Sequence, residues 1–126
     1  MFIRTACIFL ALFSASLSAK TIEIAWTPDG RFGYEALLAA DQADEICGSF
    51  TAGDAIQWTL KSSQALDFNI HYHQGDEVIY PVKKTAVTAG SERLAVTVPQ
   101  TYCWMLTNTG GEAAVITLDL EHNPGD

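Results

Sequence analysis

Positive charge is scarce in this chain: seven Lys and Arg stand against fifteen Asp and Glu among 126 residues. Nucleic-acid backbones and anionic lipid headgroups are bound by Lys and Arg that displace counterions, so a surface this acidic argues against both partners. Lys83 and Lys84 form the basic pair of the central region and read as solvation of a strand end. Cysteine is also sparse, with three residues, Cys7, Cys47 and Cys103. Beyond Leu17 no apolar run approaches the roughly 20 residues that a spanning helix needs. There is no GxSxG elbow and no phosphate-cradling glycine loop, and Ser49, Ser62, Ser63 and Ser91 all fall in turn-like contexts. Acids are plentiful, but no spacing singles out a carboxylate pair for glycoside chemistry. The sequence predicts a protein that is not an enzyme.

What is present begins with "MFIRTACIFLALFSASLSAK": one Arg, an apolar run from Ala6 to about Leu17, then small residues to Ala19. That layout is a secretory signal peptide, residues 1–19, with cleavage after Ala19 or Ser18. Cys7 sits at the start of the apolar run rather than just after it, which argues against a lipoprotein anchor. The expected mature chain, residues 20–126, is one domain's worth of sequence. Its six basic and fifteen acidic residues give a net charge near −9. The expected location is periplasmic or extracellular. In such a compartment Cys47 and Cys103 pair with each other, and closing a loop of that length contributes about 4 kcal/mol on the chain-entropy model. The competing role for Cys103 is as a metal thiolate or reactive thiol.

Turn signals recur at "TPDG", "AGD", "KSSQ", "HQGD", "TAG" and "NTGG". Between them lie "TIEIAW", "AIQWTLKS", "LDFNIHYH", "EVIYPV", "RLAVTV", "TYCWMLTN" and "AVITLDLE", rich in β-branched and aromatic residues with period-two stretches. This pattern predicts an all-β protein, a single antiparallel sandwich of about seven strands. "GYEALLAADQADEIC" is the exception; its Ala, Leu and Glu content predicts one short helix before Cys47. The strand from Tyr102 to Asn108 is apolar on both faces and is expected to be central. Asn108, before "TGG", is expected to be a turn residue.

In "LDFNIHYHQGDEVIYPV" alternation puts Phe68, Ile70 and Tyr72 on the core face and Asp67, Asn69, His71 and His73 on the polar face. A solvated polar face accounts for the two histidines without a ligand. Two imidazoles two residues apart on one face are also arranged to chelate copper or zinc, with Asp76 or Glu77 supplying an oxygen and His122, Cys103 or Met105 a further donor. His71, His73 and Glu77 also match the first motif of the cupins, HxH followed by Glu. The second cupin motif falls on "PQTYCWMLTN", where Pro99 and Asn108 match but Thr101 replaces the glycine and Trp104 the third metal histidine; Lys84 replaces the glycine closing the first motif.

A second resemblance covers residues 45–121. "VTVPQTYCWMLTNTGGEAAVITLDLE" resembles the end of a GOLD (Golgi dynamics) domain, with Tyr102, Trp104, Leu106 and Asn108 at its Tyr-to-Asn strand positions and Gln100-Thr101 in place of its glycine turn. "AIQWTLKSSQALDFNIHYHQGDEVIYPVKK" resembles its central pattern, and small secreted bacterial proteins with "FNIHYH" and "YCWMWTN" motifs are similar. The resemblance implies a GOLD-like or jelly-roll-like β-sandwich that binds a protein or small ligand without catalysis. It also implies a cysteine pair to which Cys47 and Cys103 correspond, although the family cysteine sits three residues after the Tyr, not directly after it as here.

Overall fold

The computed structural model describes residues 19–125. The expected signal peptide lies outside the described residues except for Ala19, which opens the first strand. Seven strands follow in chain order: β1 (Ala19–Glu23), β2 (Arg31–Leu38), β3 (Ala43–Phe50), β4 (Ala55–Gln74), β5 (Glu77–Ala95), β6 (Gln100–Thr107) and β7 (Ala114–Asn123). They form one sheet in the order β1-β3-β6-β4-β7-β2, with β5 on the other edge of β4. β1 runs parallel to β3, and the other pairs are antiparallel.

The sheet curls because of β4. Its first part, Ala55 to Ser62, pairs with β7, and its later part, Asp67 to His71, pairs with β6. Trp58 and Phe68 lie ten residues apart on this strand, roughly 33 Å if it were straight. Their ring centroids are 4.8 Å apart. The strand therefore bends sharply between the two pairings, and the β4–β5 register jumps there, between Lys61 and Leu66. The Ser62 hydroxyl donates to the Gln64 carbonyl (2.6 Å), and the Ser63 hydroxyl accepts from the Val115 amide (2.8 Å), so the excursion keeps its polar partners. On β5 the matching irregularity is Ala86, which has positive φ and whose amide donates to Asp67 Oδ1 (3.1 Å). The concave side closes on one core in which Trp58, Phe68, Ile70, Trp104, Leu106, Leu118 and Leu120 are buried.

Three expectations are corrected by this arrangement. A two-sheet sandwich with a helix is not observed: the sheet is continuous and curled into a half-barrel, and there is no helix among the described residues. The residues read as that helix form β2, a turn and β3. Phe32, Tyr34, Ala36 and Leu38 face inward in alternation with exposed Arg31, Gly33, Glu35 and Leu37, and every residue of β2 pairs with β7. Sheet pairing overrides the helical preference of Ala, Leu and Glu. Finally, "KSSQ" and "TAG" are not chain reversals but irregular or small-residue positions inside long strands. Gly90 lies beneath Trp58, where a Cβ would come within 3.1 Å of the indole.

The expected central strand is observed, with β6 between β3 and β4. Tyr102, Trp104 and Leu106 enter the core, and the Tyr102 hydroxyl donates to the Val98 carbonyl (2.8 Å). Tyr34 on edge strand β2 donates to Asp44 on β3 (2.6 Å). Burial, reinforced by that carboxylate, pushes the Tyr34 phenol up to about 12. Asn108 is fully buried; its amide nitrogen donates to the Leu38 carbonyl (3.0 Å) and the Glu112 carbonyl (2.8 Å), and its oxygen accepts from the Gly110 amide (3.0 Å). It thus fastens the β2–β3 turn to the β6–β7 turn as well as ordering its own loop. Replacing it by Ala leaves two carbonyls and an amide without these partners, so Asn108→Ala is expected to lower unfolding free energy by about 2–4 kcal/mol in urea denaturation. Gly111→Ala, in open space in the same loop, is expected to change it by less than about 0.5 kcal/mol.

Candidate functional site

The registers of β3, β6 and β4 bring chemistry-bearing residues into rows. Ile46, Trp104 and Ile70 form one row, all buried in the core. The rows on either side belong to the opposite face: Cys47, Cys103 and His71 in one, Glu45, Met105 and Asn69 in the other. Cys47 and Cys103 are directly opposed, with Cα atoms 4.1 Å apart, and are joined in the expected disulfide. His71 flanks Cys103 on the other side.

His71 is not the solvated histidine that an outer face suggests, because its side chain is only 6% exposed. Nδ1 lies 2.7 Å from Asn69 Oδ1, and Nε2 lies 2.9 Å from Glu45 Oε1, so the His71–Glu45 contact reaches across β6. The ring is flanked by His73 (centroids 5.3 Å apart) and Tyr80 (5.9 Å), and the Lys83 ammonium sits 4.8 Å from the Tyr80 ring centre. Burial lowers the His71 pKa below its ordinary 6.5; the Glu45 carboxylate opposes this and His73 adds to it. A neutral ring carries one proton. On Nε2 that proton is donated to the Glu45 carboxylate; on Nδ1 it is donated to Asn69 Oδ1, and the Nε2 lone pair then faces the carboxylate, an arrangement that a metal cation between the two would satisfy.

A ligand set of this kind is present. Atoms of Glu45, His71 and Cys103 lie within 4.8 Å of one another, the one such group of three among the described residues. The Cys103 sulfur is bound to Cys47 in this state. The set differs from the expected His71, His73 and Glu77. His73 is exposed on the face of His71, while Glu77 pairs with Gln74 at the far side of the hairpin turn and is not in the convergent group. Of the other donors named from sequence, Cys103 joins His71. His122 sits elsewhere, against Trp26 and Phe50 with Nε2 3.5 Å from Asp54 Oδ2. Trp104, at the cupin's third-histidine position, is wholly buried in the core, so the cupin arrangement is not assembled. Glu45 is the residue that sequence reasoning missed, since it lay in the segment read as helix. No period-two apolar alternation marks residues 43–50, where Asp44 and Gly48 alternate with Ile46 and Phe50 on one face, so the sequence carries no clear strand signal there.

Comparison with solved structures shows the fold. The chain superposes on Aeromonas hydrophila PliG, a periplasmic lysozyme inhibitor of g-type lysozyme, with a TM-score of 0.66 at 12% identity, covering 86% of this chain and 100% of that one. The Salmonella Typhimurium PliG gives 0.59 at 10% identity, covering 84% and 100%. The Yersinia pseudotuberculosis-derived mitogen gives 0.57 at 14% identity, covering 72% and 84%. No protein-family model and no curated protein matches the chain. The likeness is therefore to a small all-β fold shared with inhibitor and mitogen proteins, and not to the GOLD domain in particular.

Two outcomes follow from the burial of His71. His71→Ala leaves Glu45 and Asn69 without their partner and is expected to cost about 1–3 kcal/mol. His73→Ala, exposed, should stay within about 0.5 kcal/mol; thermal denaturation of both variants checks this. Because the folded His71 pKa is depressed, the unfolded chain takes up this proton first as pH falls, so the stability tied to the neutral ring is present above 6.5 and is lost below it. Denaturant midpoints measured from pH 7.5 downward should decline more steeply below 6.5 in the wild type than in His71→Gln.

Proposed function

We propose that this chain is an exported, non-catalytic module that captures a cationic protein partner. The observation that carries the reading is the fold: the likeness spans the full length of neighbours described as periplasmic inhibitors of g-type lysozyme. The lack of a catalytic set in the sequence supports the same class of role, as do the GOLD-like motifs. Export is supported by the signal-like start of the sequence and by the Cys47–Cys103 disulfide, which persists in oxidising compartments. No helix among the described residues is long and apolar enough to cross a membrane. The charge near −9 of residues 20–126 favours basic partners, since complementary fields accelerate encounter and suppress wrong pairings. Exposed Val78 and Tyr80, beside His73 at the hairpin end, supply apolar and aromatic contact area of the kind that interfaces bury.

A second reading, metal binding, rests on the convergence of Glu45, His71 and Cys103. Zinc and copper suit imidazole and carboxylate donors, to which Cys103 adds a thiolate only when reduced, and His73, whose ring lies 5.3 Å from that of His71, is the further donor that the sequence singles out. Zinc(II) or copper(II) binding in calorimetry that His71→Ala abolishes supports this reading, and binding unchanged by that substitution removes it.

For the first reading, g-type lysozyme is the partner to test. The expected result is a one-to-one complex that suppresses cell-wall lysis and weakens as salt shortens the Debye length from about 10 Å at 0.1 M to about 3 Å at 1 M. Absence of a complex removes that partner. Turnover of any substrate by the pure protein overturns the non-catalytic reading.

A further inference from the structure

The Cys103 sulfur, held in the Cys47–Cys103 bond, lies within 4.8 Å of the Glu45 and His71 atoms that face each other. In the oxidised protein the convergent group offers a metal two donors, Glu45 and His71, because the Cys103 sulfur is held in the disulfide. Reduction changes the donor set without requiring the sheet to rearrange: β3, β6 and β4 are held in register by their own ladders, through residues 43–50, 100–107 and 67–71. We propose that the disulfide gates a metal site, closed when Cys47 and Cys103 are joined and opened by thiol reduction to take a zinc-class divalent cation on Glu45, His71 and Cys103. The proposal rests on the metal reading above and adds the thiol state as its control.

Reduction and metal binding balance as two steps. An external dithiol gives two electrons and two protons to the Cys47–Cys103 bond; the sulfur–sulfur bond breaks, two thiols form, and the dithiol closes into its own disulfide. The Cys103 thiol then releases its proton to water as the sulfur–metal bond forms. His71 contributes Nε2, its Nδ1 proton being held by Asn69 Oδ1 at 2.7 Å, the kind of outer contact that fixes the orientation of a metal-bound histidine. Glu45 contributes Oε1, already 2.9 Å from Nε2. Donors bound at about 2.0–2.3 Å around a tetrahedral zinc stand roughly 3.3–3.8 Å apart, so a group whose atoms lie within 4.8 Å of one another needs shifts on the order of 1 Å to close on the ion. Cys47, freed by the same reduction on the far side of Cys103, is the protein donor nearest by register for the fourth position. A carboxylate, an imidazole and thiolates are a zinc set, whereas the oxidised pair of donors is a poor site for any ion.

The test uses the processed, exported protein, with cobalt(II) as a spectroscopic probe and zinc(II) as competitor. After reduction by a phosphine, cobalt(II) should give a thiolate-to-metal charge-transfer band that zinc(II) bleaches, and the oxidised protein should give none. Cys47→Ser, which cannot form the bond, should bind without reductant, and Cys103→Ser should bind in neither state. Near-ultraviolet circular dichroism from the buried Trp58 and Trp104 reports whether each variant is folded. Should the variants fail to fold, the thiol–disulfide equilibrium of the wild type in a dithiol buffer is the second measurement. Zinc(II) at about 100 times its Kd should shift that equilibrium about 100-fold toward the reduced form. In His71→Ala it should not, and this difference separates protein binding from chelation by the buffer. Equal binding by oxidised and reduced protein, abolished by His71→Ala, overturns the gate and leaves the metal reading. Binding by neither form overturns both.

Discussion

The bend in β4 is the constraint on which the rest of the structure depends. A strand of 20 residues with straight geometry exposes one edge to one neighbour, but here that edge serves β7 first and β6 afterwards. The tilted contact of Trp58 with Phe68 is possible only because the strand bends between them. Burying two large aromatics against each other at the bend, with Gly90 leaving room for the indole, stabilises the curl. β5 follows β4 through the bend with its own irregularities, so the hairpin acts as a shared wall for both halves of the sheet.

That curl decides which outer face carries chemistry. On the β7 side of the bend, the outer positions are polar and open, as at Thr59 and Ser91, whose hydroxyls lie 3.0 Å apart. On the β6 side, the outer face is partly withdrawn from water: His71 and both cysteines are buried although they point away from the core. A buried imidazole normally prefers to be neutral, and a carboxylate beside it normally prefers it charged. His71 lies where these preferences compete, with burial the stronger, and Asn69 and Glu45 hold the ring from its two sides. Stability alone does not call for such an arrangement, since an apolar pair would fill the same space without the desolvation cost.

Much of this was legible in the sequence, and the failures share a cause. The alternation in "FNIHYH" placed Phe68, Ile70 and His71 on their correct faces, and the count of cysteines in a chain expected to be exported pointed to the disulfide. The central position of β6 followed from Tyr102, Trp104 and Leu106 alternating with Cys103 and Met105. The segment from Gly33 to Cys47 was misread because Ala, Leu and Glu favour helix locally, while the pairing of β2 with β7 is decided some 80 residues away in the chain. Glu45 was lost with it, and with Glu45 the partner that turns His71 from a surface residue into a buried one. The bend at "KSSQ" was read as a reversal because small polar residues mark any departure from ladder pairing, a bulge as readily as a turn.

The protonation state of the His71 ring tests the account most directly, because both the burial of the outer face and its capacity for a cation follow from how that ring is held. Nitrogen-15 NMR of the imidazoles in the metal-free, oxidised protein at neutral pH reads it. The account predicts that the neutral His71 ring holds its one proton in a single, slowly exchanging tautomer between Asn69 and Glu45, while His73 averages between tautomers and exchanges rapidly with water. A His71 ring that averages and exchanges like His73 would contradict it, and would return "HYH" to the solvated side of an ordinary strand.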